Sequence, residues 1–410
     1  MATSSVWQCP PRVEADIAIV GGGVTGCATA WALARLAPDL RIVIVEAERL
    51  AWGASGRNAG FLLLGTSTDY ASAVDAYGRD RARRIWAFTA EAYRLAAEVG
   101  MRHDVGFRPS GSALAAADAA EADRLRRSHT LLAEDGVPTD LLVADAANER
   151  LGSAGFHAAL VVPEGGEVDP ARLVRALAGE SGAEVREGWR VAALEGEGGR
   201  VRVAIEGGGE VVAGRVLVAT NAWVPQLVPA LAEVVRPVRA QMLATAPAPP
   251  RLDIPVYSHG GYFYLRQRPD GRVLVGGARH LHREAEVGYE DVVTVALQRD
   301  LSDYLIHHLP YVASLGVERR WAGTMGFSPD GLPALGAVPG VSGAAWAAGF
   351  TGHGMGYALR FGALAARTLV GEPDPAADLF DARRLGVGSA GSSAAPPVTG
   401  SGGGAVRAGL

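Results

Sequence analysis

The sequence predicts an α/β protein in which a largely parallel, helix-flanked sheet carries a second, inserted domain built on an antiparallel sheet. Three observations predict it. An apolar run, Asp16 to Val20, enters a glycine-rich turn, Gly21 to Gly26, and then an alanine-rich helical stretch, Cys27 to Ala37. Two later apolar runs, Arg215 to Thr220 and Ala344 to Ala348, likewise end in small residues followed by a helical pattern. Between Val234 and Ala278 the pattern changes to long alternating segments, Val238 to Ala244, Tyr262 to Gln267 and Val273 to Gly276, the last after a Pro269-Asp270-Gly271 turn. Alternation of that kind belongs to antiparallel strands.

The first turn carries a mechanism. In Gly21-Gly22-Gly23-Val24-Thr25-Gly26, the first spaced glycine, Gly21, permits a tight turn and Gly23 lets backbone approach a pyrophosphate. Gly26 lets helix and strand pack closely, and the helix start offers free N–H groups and a positive dipole end. A second strand, Arg41 to Val45, ends at Glu46, where a carboxylate can accept hydrogen bonds from a ribose. The combination of strand, turn, helix, strand and terminal acid points to dinucleotide binding.

The composition bounds what else the chain does. At 410 residues it suits two domains with ample core. Thirty-nine basic against 44 acidic residues, a net charge of −5, argue for neither nucleic acid nor an anionic membrane. Only Cys9 and Cys27 are present, so no disulfide framework or cysteine metal site is expected, and a reducing cytoplasm fits. Met1 to Arg12 lacks the pattern of a secretion signal, and no apolar run is long enough to span a bilayer. The expectation is a soluble cytoplasmic protein with no metal.

Directly after Glu46 comes a second small, glycine-rich stretch, Gly53-Ala54-Ser55-Gly56-Arg57-Asn58-Ala59-Gly60-Phe61. It is expected to form another backbone cradle, with Ser55 and Asn58 as donors and Arg57 as a counter-charge to phosphate. Arg79 to Gly100 has an amphipathic stripe (Ile85, Phe88, Ala92, Leu95, Val99), and a further helix is expected from Ala117 to Asp135, with a short strand at Ser112 to Ala115 between them. Arg81, Arg83 and Arg84 are expected on a solvated helix face, and so is the pair His307-His308 in a helix from Asp291 to Leu309. Asp169-Pro170 opens a helix reaching about Gly179. Strands are expected at Glu184–Arg186, Arg190–Leu194, Val201–Ile205 and Glu210–Val212, then at 215–220, ending in Thr220-Asn221-Ala222-Trp223 at the sheet edge where ligands bind. The tail, from Arg383 and above all from Gly386, is Gly, Ser, Ala and Pro and is expected to be disordered.

Near the C-terminus, Ala344 to Ala348 runs into Gly349-Phe350-Thr351-Gly352-His353-Gly354-Met355-Gly356, again a strand, a glycine turn and a helix start. Small residues this dense imply close backbone approach to something flat. The motifs occur in order: the fingerprint with Glu46, Gly-Ala-Ser-Gly-Arg-Asn-Ala-Gly, Gly-Gly-Glu-Val-Asp-Pro, Ala-Thr-Asn-Ala-Trp, Asp-Gly-Leu-Pro and Gly-Phe-Thr-Gly-His-Gly-Met. Together they resemble the FAD-dependent D-amino-acid oxidase superfamily, nearest its γ-glutamylputrescine oxidase-like branch, over residues 14 to 380 or so.

The resemblance implies a Rossmann-like FAD-binding domain (14–80, 150–233 and 320–382) with an inserted, glutathione-reductase-2-like substrate domain (81–149 and 234–319). It implies oxidation of a C–N bond to an imine by hydride transfer to flavin N5, with dioxygen or another acceptor reoxidising the flavin. Gly21, Gly23, Val24, Thr25, Gly26, Glu46 and Ala47 would hold the ADP half, and Val191 would give a backbone contact to adenine. Ala54, Ser55, Gly56, Arg57, Asn58, Ala59, Gly60 and Phe61 would line pyrophosphate and flavin, with Thr220, Asn221 and Trp223 beside them. Gly352, His353, Gly354 and Met355 would face the pyrimidine edge. Tyr257, Tyr262, Tyr264 and Arg266 would meet the substrate, with Tyr264, Arg266 and His353 acting in catalysis.

Two departures sharpen this. The segment Arg320 to Thr324 holds no cysteine and the second glycine loop no histidine, so FAD is expected to be non-covalent. Sarcosine oxidase-like members clamp a carboxylate with an arginine and a lysine where this chain has Leu62-Leu63-Leu64 and Gly356. An amine whose charge lies far from the reacting carbon fits better. The alternatives are a D-amino-acid or glycine-type oxidase or dehydrogenase anchored by Arg266, a non-catalytic flavin-binding subunit, and a nicotinamide-dependent dehydrogenase.

Overall fold

In the computed structural model, residues 11–387 are described. The first sheet has eight strands, and its spine runs Ala334–Ala337, Ala344–Ala348, Glu210–Val218, Arg12–Val20, Ile42–Val45, Glu184–Arg186. Ile17 pairs in parallel with Ile42 on one side and Arg215 on the other. The strands at the centre are apolar on both faces because helices or a hairpin cover both. Ile17 and Ile19 face the helices Val24–Leu36, Pro170–Ser181 and Gly354–Val370, while Ala18 and Val20 face the hairpin of Val191–Glu197 and Arg200–Ile205. A Cβ on Gly362 would come within 2.6 Å of Ala28 Cβ, so the last long helix packs on the first only with glycine there. Glu210–Val218 is one strand rather than the two expected, because Ala213 is paired to both Ala15 and Val201 and carries the ladder past Gly214.

The second sheet also has eight strands, in the order Val317–Phe327, Arg236–Pro247, Arg272–Gly277, Phe263–Gln267, Val256–Ser258, Ser112–Ala116, Ala158–Val162, Asp140–Val143. It is antiparallel except where Val256–Ser258 meets Ser112–Ala116. One face packs on the helix Val295–His308, and the other carries Met242, Ala244, Tyr257 and Tyr264 toward Phe61 of the first domain.

Packing divides the chain differently from the expected boundaries. The helix Arg79–Arg102 buries Ile85, Phe88, Ala96 and Val99 in the core of the first sheet, not the second. Ala158–Val162 joins the second sheet. Arg383 to Leu385 belong to an ordered turn, Ala382–Leu385, in which Arg384 Nε donates to Asp330 at 2.7 Å. The rest of the expected disordered tail, 388–410, lies outside the described residues, as do Cys9 and residues 1–10. Arg81 and Arg84 fasten the helix to the C-terminal segment through the Leu379 carbonyl and Asp378 rather than facing only water. His308 is buried, its ring stacked on Phe156 with centroids 4.1 Å apart, while His307 is exposed as expected. Among the described residues no helix is long and apolar enough to cross a membrane, and no group of residues could hold a metal ion.

Candidate active site

A single cavity of about 590 Å³ runs from the first glycine turn to the last. Gly21, Gly23, Val24, Thr25, Glu46 and Ala47 line one end, and Gly352, His353, Gly354 and Met355 line another part of the same wall. At Gly21 φ is +113°, and a Cβ would lie 2.8 Å from the Ala219 carbonyl oxygen. Gly26 does not line the cavity; its Cβ would sit 2.0 Å from the Gly21 carbonyl oxygen, so its glycine serves helix–strand packing. Glu46 is held by accepting the Gly22 N–H at 2.7 Å and the Glu48 N–H at 2.9 Å, which leaves carboxylate lone pairs for a further donor. Val191 lines the cavity beside Trp189, whose N–H bonds the Glu46 carbonyl.

The second glycine loop is a one-turn helix, Ala54–Arg57, tied to the first. Ser55 Oγ accepts the Val24 N–H at 2.9 Å. The Asn58 amide builds its own turn, donating to the Ala54 and Ser55 carbonyls and accepting the Gly60 N–H. Gly56 and Gly60 are off the lining: a Cβ would meet the Ala51 carbonyl oxygen at 2.2 Å and that of Val168 at 2.1 Å. Arg57 requires a correction. It lines the cavity, but its guanidinium bonds Asp291 at 2.5 Å and the Ala322 carbonyl at 2.8 Å, so it ties the two domains together instead of standing free for phosphate.

Thr220, Asn221 and Trp223 line the same cavity. Asn221, left-handed at φ +46°, accepts the Gly349 N–H at 3.1 Å and so joins two motifs far apart in sequence. His353 is buried and its Nε2 has no hydrogen-bond partner among the described residues. Burial drives its imidazole down to about 4, against the raising effect of the Leu63 carbonyl, so the ring is neutral at pH 7. A Cβ at Gly356 would lie 2.6 Å from both His353 Nε2 and the Leu63 carbonyl oxygen. This is why no longer side chain is accommodated at that position.

The substrate side is aromatic. Phe61 lies 5.4 Å from Tyr257 and 6.2 Å from Tyr264, and the two tyrosines 5.8 Å from each other, centroid to centroid. Burial pushes Tyr264 up to about 12 and Tyr257 higher still, so both hydroxyls stay protonated. Tyr262 also lines the cavity.

Arg266 is the second correction. It shares the strand face of Tyr264, but the cavity ends before it. Its Nε faces Glu167 at 2.9 Å, and its Nη1 donates to the Ala59 carbonyl at 2.7 Å and the Val168 carbonyl at 3.0 Å. Glu167, fully buried, is shared with Arg108. Arg266 therefore buttresses the second glycine loop from behind and does not line the cavity. The strand period placed it on the correct face but does not report where along the strand the cavity stops. Arg279, which sequence reasoning missed, lines the cavity instead. The available signal was the Gly276-Gly277-Ala278 break before it: positive φ at Gly277 and Ala278 ends the strand and turns the chain inward.

The model of a family described as FAD-dependent oxidoreductase matches residues 16–368. The chain is similar to the γ-glutamylputrescine oxidoreductase of Escherichia coli (strain K12), 28% identical over 90% of this chain and 86% of that protein. It is similar to the glycine oxidase of Pseudomonas aeruginosa, 30% identical over 80% of this chain and 87% of that one. Among solved structures it resembles glycine oxidase from Geobacillus kaustophilus with a TM-score of 0.77 at 25% identity, covering 90% of this chain and 98% of that one. The cavity fits FAD: glycines stand where a Cβ would meet neighbouring backbone, and one buried imidazole nitrogen, His353 Nε2, lacks a partner among the described residues. By sequence, fold and cavity alike, this chain belongs to the FAD-dependent oxidoreductases, enzymes whose members here act on amines and amino acids.

Proposed function

We propose that this chain oxidises the C–N bond of a small amine to an imine, which water then hydrolyses. FAD, when bound, supplies the hydride acceptor and passes the electrons to dioxygen or another acceptor. Gly21, Gly23, Val24 and Thr25, with Glu46, Ala47 and Val191, would hold the nucleotide half of FAD, and Gly352 to Met355 would lie beside its ring. The helix Gly354–Val370 starts there, and its dipole favours negative charge at its N-terminus. His353, neutral, offers a hydrogen bond without adding a charge. Phe61, Tyr257 and Tyr264 form a cage that excludes water and orients the reacting carbon. The amine reacts in its neutral form, because its nitrogen lone pair must form the C=N bond as hydride leaves the carbon. A cytoplasmic setting fits the chain's scarce cysteines.

The observation that carries this reading is that glycine turns at opposite ends of the chain, together with the aromatic trio, line one cavity. The test is anaerobic mixing of the purified yellow protein with polyamines, N-acylated diamines, N-methyl amino acids and D-amino acids. Bleaching by an amine is expected, and peroxide and dye channels separate oxidase from dehydrogenase. A flavin that no amine reduces would instead make this a non-catalytic flavin-binding subunit.

A further inference from the structure

The second sheet carries one row of residues straight across the side that faces the cavity. Following the strand registers, the row reads Trp321, Met242, Gly276, Tyr264, Tyr257 and Leu114. Every position but one holds a large side chain. The exception, Gly276, stands directly opposite Tyr264. Its backbone does not call for glycine: φ is positive at Gly277 and Ala278, which end the strand, but not at Gly276. Glycine inside a strand weakens it unless something approaches the bare backbone closely.

What approaches is the Tyr264 ring. A Cβ built on Gly276 would lie 2.5 Å from Tyr264 Cζ and 2.6 Å from its hydroxyl oxygen, with Cε2 nearer still. The ring thus lies back over Gly276 and screens it, so that Tyr264 lines the cavity and Gly276 does not. No polar contact fixes the far end of this side chain, for the Tyr264 hydroxyl makes no hydrogen bond among the described residues. Its ring contacts are Phe61, edge-on with centroids 6.2 Å apart, and Tyr257, tilted at 5.8 Å. Both belong to the cage. A ring pushed off Gly276 therefore has the cage to move into.

We propose that Gly276 is a positioning residue that sets the width of the substrate cage. By leaving its place in the row empty, it lets the Tyr264 ring lie back over the sheet. The room so freed admits an amine carrying an alkyl group on the reacting nitrogen, which a slim primary amine does not need. The choice of substrates rests on the amine-oxidation reading; the placement of the ring does not.

The experiment uses the FAD-loaded full chain as wild type, as Gly276→Ala, and as Gly276→Ala combined with Tyr264→Leu or with Tyr264→Phe. Turnover is measured on butylamine and N-acetylputrescine, each bare and with an N-methyl or N-ethyl group on the reacting nitrogen. The position of the ring is read separately from a crystal structure of Gly276→Ala. That variant is expected to lower kcat/KM for the bulkiest amine that wild type oxidises by about 10- to 200-fold, the range of one misfitted methylene in an apolar pocket. The loss should come chiefly through KM and be least for the bare amines. Leucine at 264 is expected to restore the bulky amine, because a shorter side chain clears the new Cβ. Phenylalanine is expected not to, because Cζ and Cε2 remain. In the crystal the ring should stand off residue 276 and enter the cage.

Should Gly276→Ala fail to fold or to retain flavin, recovery of both by adding Tyr264→Leu, and not by adding Tyr264→Phe, supports the proposal equally; no recovery overturns it. A ring unmoved in the Gly276→Ala crystal, an unchanged preference among the amines, or equal rescue by phenylalanine and leucine would overturn it while leaving amine oxidation intact. If none of these amines is oxidised by any of the proteins, the reaction reading fails. The ring position in the crystal then decides by itself for or against the role of Gly276.

Discussion

The two ends of the cavity are built from different materials. At the nucleotide end the wall is main chain: Gly21 and Gly23, the Val24 N–H tied to Ser55, and a turn made by Asn58 from its own neighbours. At the substrate end the wall is side chains from separate elements: Phe61 from the second loop, Tyr257 and Tyr264 from neighbouring strands, Arg279 from the turn after a third. A main-chain wall depends on a local run of residues being small. A side-chain wall depends on which strands come together and where each one ends.

Substitutions at the two ends are therefore expected to fail in different ways. The largest effect is expected at Gly26→Ala. The new Cβ would sit 2.0 Å from a backbone oxygen that cannot move without dismantling the turn. Flavin content, read from the visible spectrum of purified protein, should fall below detection; retention of stoichiometric FAD would break the claim that this end is set by backbone packing.

Next comes Arg266→Met, which leaves Glu167 buried with only Arg108 beside it. Removing one partner of a buried pair costs about 3–5 kcal/mol. Urea unfolding of the purified variant should show that loss. A variant of native stability with a raised substrate KM would return Arg266 to the substrate side.

Third, His308 and His353 are both held down to about 4 by burial, which favours the neutral ring. A histidine depressed in the fold takes up its proton in the unfolded chain first. Stability is then fully present above the ordinary value near 6.5 and falls as pH drops from there toward 4, by up to about 1.4 kcal/mol per pH unit for each ring. His308→Gln should flatten that acid limb when urea midpoints at pH 7 and pH 5 are compared. An unchanged slope would mean that His308 is already charged in the native protein.

The smallest effect is expected at Tyr264→Phe, which removes a hydroxyl but keeps the ring packed on Phe61 and Tyr257. A loss of roughly 10-fold in kcat/KM is expected, that of one hydrogen bond. Because the hydroxyl is pushed up to about 12, its loss should not alter the pH–rate profile between pH 6 and 10. A vanished alkaline limb would show that Tyr264 ionises in turnover.

Most elements were legible because their signals are local. Glu184–Arg186 and Ala344–Ala348 fall where expected, and Asp169 caps its helix by accepting from Ala171 and Arg172. The helix Arg79–Arg102 was visible by its apolar stripe, but the stripe does not say which sheet it covers. His307 and His308 look alike in sequence; only Phe156 packing on one of them separates them.

The sequence alone determined the dinucleotide fold and the end of the cavity that its glycines make. Whether a Cβ can be tolerated in a tight turn is decided within a few residues, and that requirement is written into them. The tertiary structure decided which arginine is spent and which is free. Arg266 and Arg279 carry the same guanidinium; one is paired with Glu167, and the other has, among the described residues, ring faces and no carboxylate beside it. Pairing of charges depends on distances between elements remote in sequence, which only the folded chain sets.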